Sequence, residues 1–226
     1  MHYIDPELQR FGVKETSQND EDGIIRRLNE IAGLTSGSFA EFGIGPPAGR
    51  DLTHGLEGNF VALRRAGWNG VFWNGDGFAP DSGVRQQFVT PLTINSIFRK
   101  HALPRDLDWL SIDIDGQDFW VWLSLDWRPR FVIVEYNAEF GPEISKTIAY
   151  DPSHAWDGTI YYGASLAAFE ALARDKGYVL VYANGVNGFF VRSDMISNPD
   201  DFSLNRLFVG LSLHAPDHLG RPWVEI

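Results

Sequence analysis

Two near-continuous apolar runs, Trp109 to Asp113 and Phe131 to Tyr136, constrain this chain more than any other feature. A strand with one wet face alternates apolar and polar residues, whereas a strand covered on both faces has no need to. Such runs suit the buried centre of a parallel sheet with helices on each side. Between them lies a helix from about Gln117 to Leu125, which supplies the crossover that a parallel pair requires. Trp120 and Trp122 belong to the packing of that helix.

The same alternation recurs upstream. From Ser38, FAEFGI reads as a short strand, followed by a turn with Gly43, Gly45, Pro46, Pro47 and Gly49. A helix carrying Leu52, Leu56, Phe60 and Leu63 comes next and stops at Gly67. Val71 to Asn74 forms the second strand, a weak strand lies around Gln87 to Val89, and Ile94, Ile97 and Phe98 mark another helix. Near the C-terminus, a helix from Ser165 to Lys176 stops at Gly177 and leads into strands Tyr178 to Ala183 and Gly188 to Arg192. The connection Asn184 to Asn187 is too short for a parallel crossover, so these two strands form an antiparallel hairpin. The expectation is one α/β domain: residues 1–37 an N-terminal segment with a covering helix, 38–194 the core, and 195–226 an extension packed on it. In the covering helix, Asp20, Glu21 and Asp22 sit at the positive end before Ile24, Ile25, Leu28 and Ile31. Residues 141–162 show no clear periodicity and follow the end of a central strand, as a substrate loop or lid does.

Charge and composition exclude several classes. A formal net charge of -11 with only scattered basic pairs repels a phosphate backbone, so nucleic acid is not an expected partner. No apolar run has the roughly 20 residues of a membrane span. The start MHYIDPELQRFG lacks a basic flank and an apolar h-region, and there are no cysteines for disulfides or thiolate metal sites. A soluble cytoplasmic protein acting on a small molecule is expected, with its oligomeric state open.

In open α/β sheets, ligands bind outside the carboxyl ends of the strands, and a glycine turn lets a nucleotide-like group approach the backbone. Gly43 and Gly45 hold that place, and Glu41 stands two residues before Gly43, within reach of a ligand's amino-acid portion through water or a backbone amide. Pro46 and Pro47 remove two amide donors that a dinucleotide pyrophosphate would use, which weighs against a nicotinamide oxidoreductase. Read blandly, the turn is only a tight strand-to-helix connection. At the second strand's end, Asn74 or Asp76 can accept from ribose hydroxyls beside Gly75; alternatively Asn-Gly-Asp is a turn chosen for its tolerance of positive φ. Asp113 with Asp115, and Glu135 with Asn137, are spaced to present paired oxygens on one face, a donor set that suits Mg2+. Asp115 has a competing role as the cap of the helix near Gln117, with Asp118 in the first turn. His154, with Tyr150, Trp156, Tyr161 and Tyr162 around it in the long segment, is a candidate base.

The blocks FAEFGIG, GWNGVFWNGD, LDWLSIDIDGQDFWVW, FVIVEYN and GASLAAFEALARDKGYVLVYANGVNGFFVR, led by SQNDEDGI, resemble the FkbM-like S-adenosyl-L-methionine-dependent methyltransferases from residue 17 to about 194. The resemblance implies a three-layer, Rossmann-like class I methyltransferase sheet of seven strands, mostly parallel with an antiparallel C-terminal hairpin. It implies methyl transfer to a hydroxyl group, often in natural product biosynthesis, with donor contacts at Glu41, Gly43, Gly45, Asn74, Gly75, Asp76 and Asp113. It also implies a divalent ion near Asp115, Glu135 and Asn137, and acceptor chemistry near Asp113 and Asp115. The chain departs from the pattern at Asn74, where Glu is usual, and at Tyr136, which replaces an acid. A methyltransferase-fold binding protein without turnover is the competing class.

Overall fold

The two central strands form because their side chains are apolar toward both faces. In the computed structural model, which describes residues 1–46, 55–76 and 82–226, β4 (Trp109–Ile112) and β5 (Phe131–Glu135) pair in parallel at the centre of a seven-stranded sheet. β1 (Ser38–Phe42) flanks β4, and β2 (Asn69–Asn74) and β3 (Val84–Gln86) extend that edge in parallel. On the far side β8 (Asn187–Arg192) runs antiparallel to β5, and β7 (Tyr178–Ala183) closes the hairpin. The order is β3-β2-β1-β4-β5-β8-β7.

Strand alternation divides the apolar side chains between two cores. Ala40 and Phe42 face the first, with α3 (Ile94–Lys100), α4 (Asp118–Ser124) and α5 (Leu166–Lys176). Phe39 faces the second, with α1 (Glu21–Ala32) and α2 (Val61–Arg65). Helices therefore cover both faces of the mixed sheet. Trp122 is fully buried in the first core against Phe169, Tyr178 and Phe190, as its place in the amphipathic pattern suggests. Among the described residues, no helix is long and apolar enough to cross a membrane.

The structure departs from the sequence reading at several boundaries. The weak third strand lies at Val84–Gln86, ahead of the Gln87 to Val89 position expected from the sequence. Helix α2 begins only at Val61; Leu56 precedes it, and Pro47, Gly49 and Leu52 lie outside the described residues. The late start has a cause: the Glu41 carboxylate accepts from the amides of Asn59 (2.6 Å) and Phe60 (3.0 Å), and so fixes the chain just before the helix. Segment 141–162 is not wholly irregular, because β6 (Lys146–Ile148) pairs antiparallel with β9 (Trp223–Glu225) from the C-terminal extension. Arg221 fastens that extension to the loop through Asp157 (2.9 Å) and Thr159 (2.8 Å), with its guanidinium 4.2 Å from the Tyr161 ring centre.

Candidate functional site

Strand order reverses between β1 and β4, and the residues that leave those two strands, Gly43 and Asp113, meet at the resulting crevice. Gly43 has φ +81°, and a Cβ there would overlap the Asp113 carbonyl oxygen and stand 2.7 Å from its carbonyl carbon. Only glycine fits, because the two strand ends approach through backbone. Three pockets open around this point.

The first is a cleft of about 200 Å3 between the ends of β2 and β4, bordered by Trp73, Asp76, Phe88, Gln117, Tyr150 and His154. Gly75 and Asp76 lie in its wall, and Asp76 keeps its carboxylate free of any side-chain bond among the described residues. Asn74 is placed there too, but its amide is spent: Nδ2 donates to the Ile44 carbonyl (3.0 Å) and Oδ1 accepts from the Asp76 amide (2.8 Å). It holds the two turns together as an Asx turn does. Asn74 thus carries two bonds within the turns, whereas the Asp76 carboxylate is the less committed of the two candidates. Gln117, which sequence reasoning used only as a helix start, borders the cleft with both amide atoms buried and unpartnered. A side-chain amide sets a donor NH2 group beside an acceptor oxygen, the pair that an adenine edge matches.

The second pocket, about 290 Å3, lies over the end of β5 and is bordered by Glu135, Glu139, Trp156, Tyr162, Leu213 and His214. Asp113, Asp115 and Glu135 converge between this pocket and the cleft, with one oxygen of each within 4.8 Å of the others. Burial, and then their repulsion of one another, pushes Asp113 and Glu135 well above the usual carboxylate range. Three crowded carboxylates of that kind suit a divalent cation, whose charge removes the repulsion. Asp115 is exposed, with φ +54°, and does not cap α4. Asp118 shapes the loop instead, accepting from the amides of Ile114 (2.8 Å) and Gly116 (2.9 Å), and burial raises its pKa to about 6.

Asn137, the fourth expected ligand, is fully buried and lines none of the three pockets. Strand β5 ends at Glu135, so the two-residue parity does not carry on. Its Nδ2 donates instead to the carbonyls of Ile160 (2.8 Å) and Tyr162 (2.9 Å), anchoring the long loop. His154 does reach the site: its ring packs where a Cβ on Gly116 would go, and its Nε2 is buried without a partner. Burial, then the charge of Arg221, lowers its pKa, which favours a neutral imidazole able to take a proton. Tyr136 is buried, with its hydroxyl donating to the Val209 carbonyl.

The third pocket, about 210 Å3, lies beneath Gly43 to Pro46 and includes Gly45, Asn59 and Ser111. Glu41 borders it, but the amides of Asn59 and Phe60 occupy its two oxygens, and burial raises its pKa to about 8. Its evident role is to hold the turn. Neither the models of known protein families nor the curated proteins give a match to this chain.

Proposed function

We propose that this protein is a class I, S-adenosyl-L-methionine-dependent methyltransferase that methylates a hydroxyl group of a small molecule, with a divalent ion such as Mg2+ at its acidic cluster. The observation that carries the reading is the crevice at the β1/β4 switch point, in a sheet whose last hairpin returns antiparallel through β8. A nucleoside-sized cleft there offers Asp76 to ribose hydroxyls and the unpartnered Gln117 amide to a base edge. Gly43, where β1 and β4 meet through backbone, borders this cleft and both other pockets.

Positioning supplies most of the rate in such a transfer, since in-line alignment replaces a bimolecular encounter. The acceptor oxygen bonds to the methyl carbon as the carbon–sulfur bond breaks, and the acceptor's proton must leave. Asp115 and the unpartnered Nε2 of His154, both at the cleft, are able to take it. Asp113, Asp115 and Glu135 would hold the ion, whose charge would lower the pKa of an acceptor hydroxyl. Trp156 and Tyr162 of the long loop border the second pocket.

Calorimetric titration with adenosylhomocysteine, S-adenosylmethionine and NAD tests this reading. Binding of the first two and not of NAD is expected, with Asp76→Ala weakening both. Tight NAD binding alone would point to an oxidoreductase. Donor binding with no turnover over a broad panel of hydroxylated acceptors would point to a binding protein that keeps the fold.

A further inference from the structure

The wall of the second pocket carries charge of one sign. Glu139, from the segment that follows β5, borders it beside Asp113, Asp115 and Glu135, and among the described residues no Lys or Arg does. A divalent ion held by Asp113, Asp115 and Glu135 would set two positive charges against three carboxylates, and Glu139 adds a fourth. The pocket therefore stays acidic with the ion as well as without it, and its field favours a positive group.

Glu139 is built into its place. Its Oε1 accepts from the amides of Leu213 (2.7 Å) and His214 (2.9 Å), which ties the C-terminal extension to the segment after β5. Burial works to raise its pKa, but the His214 and Leu213 amides outweigh it and hold the carboxyl below its usual value. Amides stabilise that charge without cancelling it. His214 also borders the pocket, and its Nδ1 lies 3.3 Å from Oε1 but makes no hydrogen bond.

Tyr162 borders the same space, is 7% exposed, and has a hydroxyl with no hydrogen bond among the described residues. Burial, then the charges of Glu135 and Glu139, keeps this phenol protonated. Its oxygen is free to accept from a ligand N–H. Trp156 stands beside it with ring centres 5.8 Å apart, held by a bond from Nε1 to the Thr159 carbonyl (2.8 Å). Aromatic surface next to carboxylates without a counter-cation suits an alkylammonium group and disfavours an anion.

We propose that the second pocket selects methyl acceptors that carry an ammonium group close to the hydroxyl, with Glu139 as its counter-charge, Tyr162 as a hydrogen-bond acceptor and Trp156 as an aromatic wall. This deepens the proposed function and rests on it. A protonated amine has no free electron pair, so the methyl group goes to the hydroxyl oxygen and the nitrogen stays unmethylated.

The test is methyl transfer by the whole chain, with S-adenosylmethionine and Mg2+, to amino sugars, aminocyclitols and vicinal amino alcohols, each beside its N-acetyl derivative. The wild type should turn over the amines with kcat/KM roughly 10- to 100-fold above their N-acetyl partners, the scale of one hydrogen bond to a charged group. Mass spectrometry should place the new methyl on oxygen. Glu139→Gln keeps an oxygen for the Leu213 and His214 amides and loses the charge, so it should remove most of that preference while adenosylhomocysteine affinity by calorimetry stays as in the wild type. N-acetyl derivatives turned over as well as the amines, or better, overturn this inference and leave the proposed function standing. A preference that survives in Glu139→Gln overturns the assignment to Glu139. Adenosylhomocysteine binding with no turnover of any pair overturns both readings. Because the first comparison varies the ligand, it decides the question even where the variant does not fold.

Discussion

Replacing Gly43 with alanine should cost far more stability than the same change at Gly67, and the difference measures how closely β1 and β4 approach at the site. Both glycines have left-handed backbones, φ +81° at Gly43 and +88° at Gly67. Alanine at either pays strain of about 1–2 kcal/mol and recovers a similar unfolded-state entropy term. These shared terms cancel when one variant is compared with the other. What remains is the contact: nothing lies within 4 Å of a Cβ on Gly67, whereas one on Gly43 meets the Asp113 carbonyl. That neighbour is backbone between buried strands and cannot swing aside. The strand ends must separate, at an overpacking cost of about 1–3 kcal/mol or more. Urea denaturation of the two variants reads this gap directly. Equal loss of stability would refute the reasoning, since it would mean that Gly43 is needed only for its φ. The comparison also carries a correction: the sequence suggests a glycine kept open for a ligand, and the structure adds a requirement of the fold itself.

Three further outcomes follow from the site. Glu41 has a folded pKa raised to about 8 by burial, so the folded state holds a proton that the unfolded chain releases near 4.5. Its contribution is complete below pH 4.5 and is lost as pH rises to about 8, at up to about 1.4 kcal/mol per pH unit. Denaturation of Glu41→Gln across pH 5 to 9 should show a flatter profile than the wild type, and parallel profiles would contradict the assignment. Asn74→Glu should weaken adenosylhomocysteine binding by about 1 kcal/mol, because glutamate cannot donate to the Ile44 carbonyl; tighter binding would return the ribose contact to residue 74. Asp115→Asn should weaken Mn2+ binding by calorimetry while leaving adenosylhomocysteine affinity near the wild-type value, and unchanged Mn2+ affinity would remove Asp115 from the ligand set.

The central sheet was legible because burial on both faces writes itself into unbroken apolar runs, as at Leu110, Ile112, Val132 and Val134. The closing hairpin was legible from the shortness of Asn184 to Asn187, a limit set by chain geometry alone. Features set by tertiary hydrogen bonds were not. Leu56, Phe60 and Leu63 keep a helical spacing, but Glu41 holds the two amides before Val61 and delays the helix. Asn74 has the residue type and position of a ribose contact, and its amide is consumed by Ile44 and Asp76. Asn137 follows the parity of a strand that has already ended. The β6–β9 pair has three residues on each strand and joins segments far apart in the chain, too little pattern to read. Gln117 was missed because an amide's importance here lies in its lack of a partner, which no sequence displays.

A crystal structure of the protein with bound adenosylhomocysteine tests the central claim most directly. The account predicts the adenosine in the cleft at the ends of β2 and β4, its ribose at Asp76 and its base at Gln117, with the homocysteine passing Gly43 into the third pocket. Adenosylhomocysteine bound elsewhere on the chain, or crystals soaked at saturating concentration with no ligand density in this cleft, would contradict it.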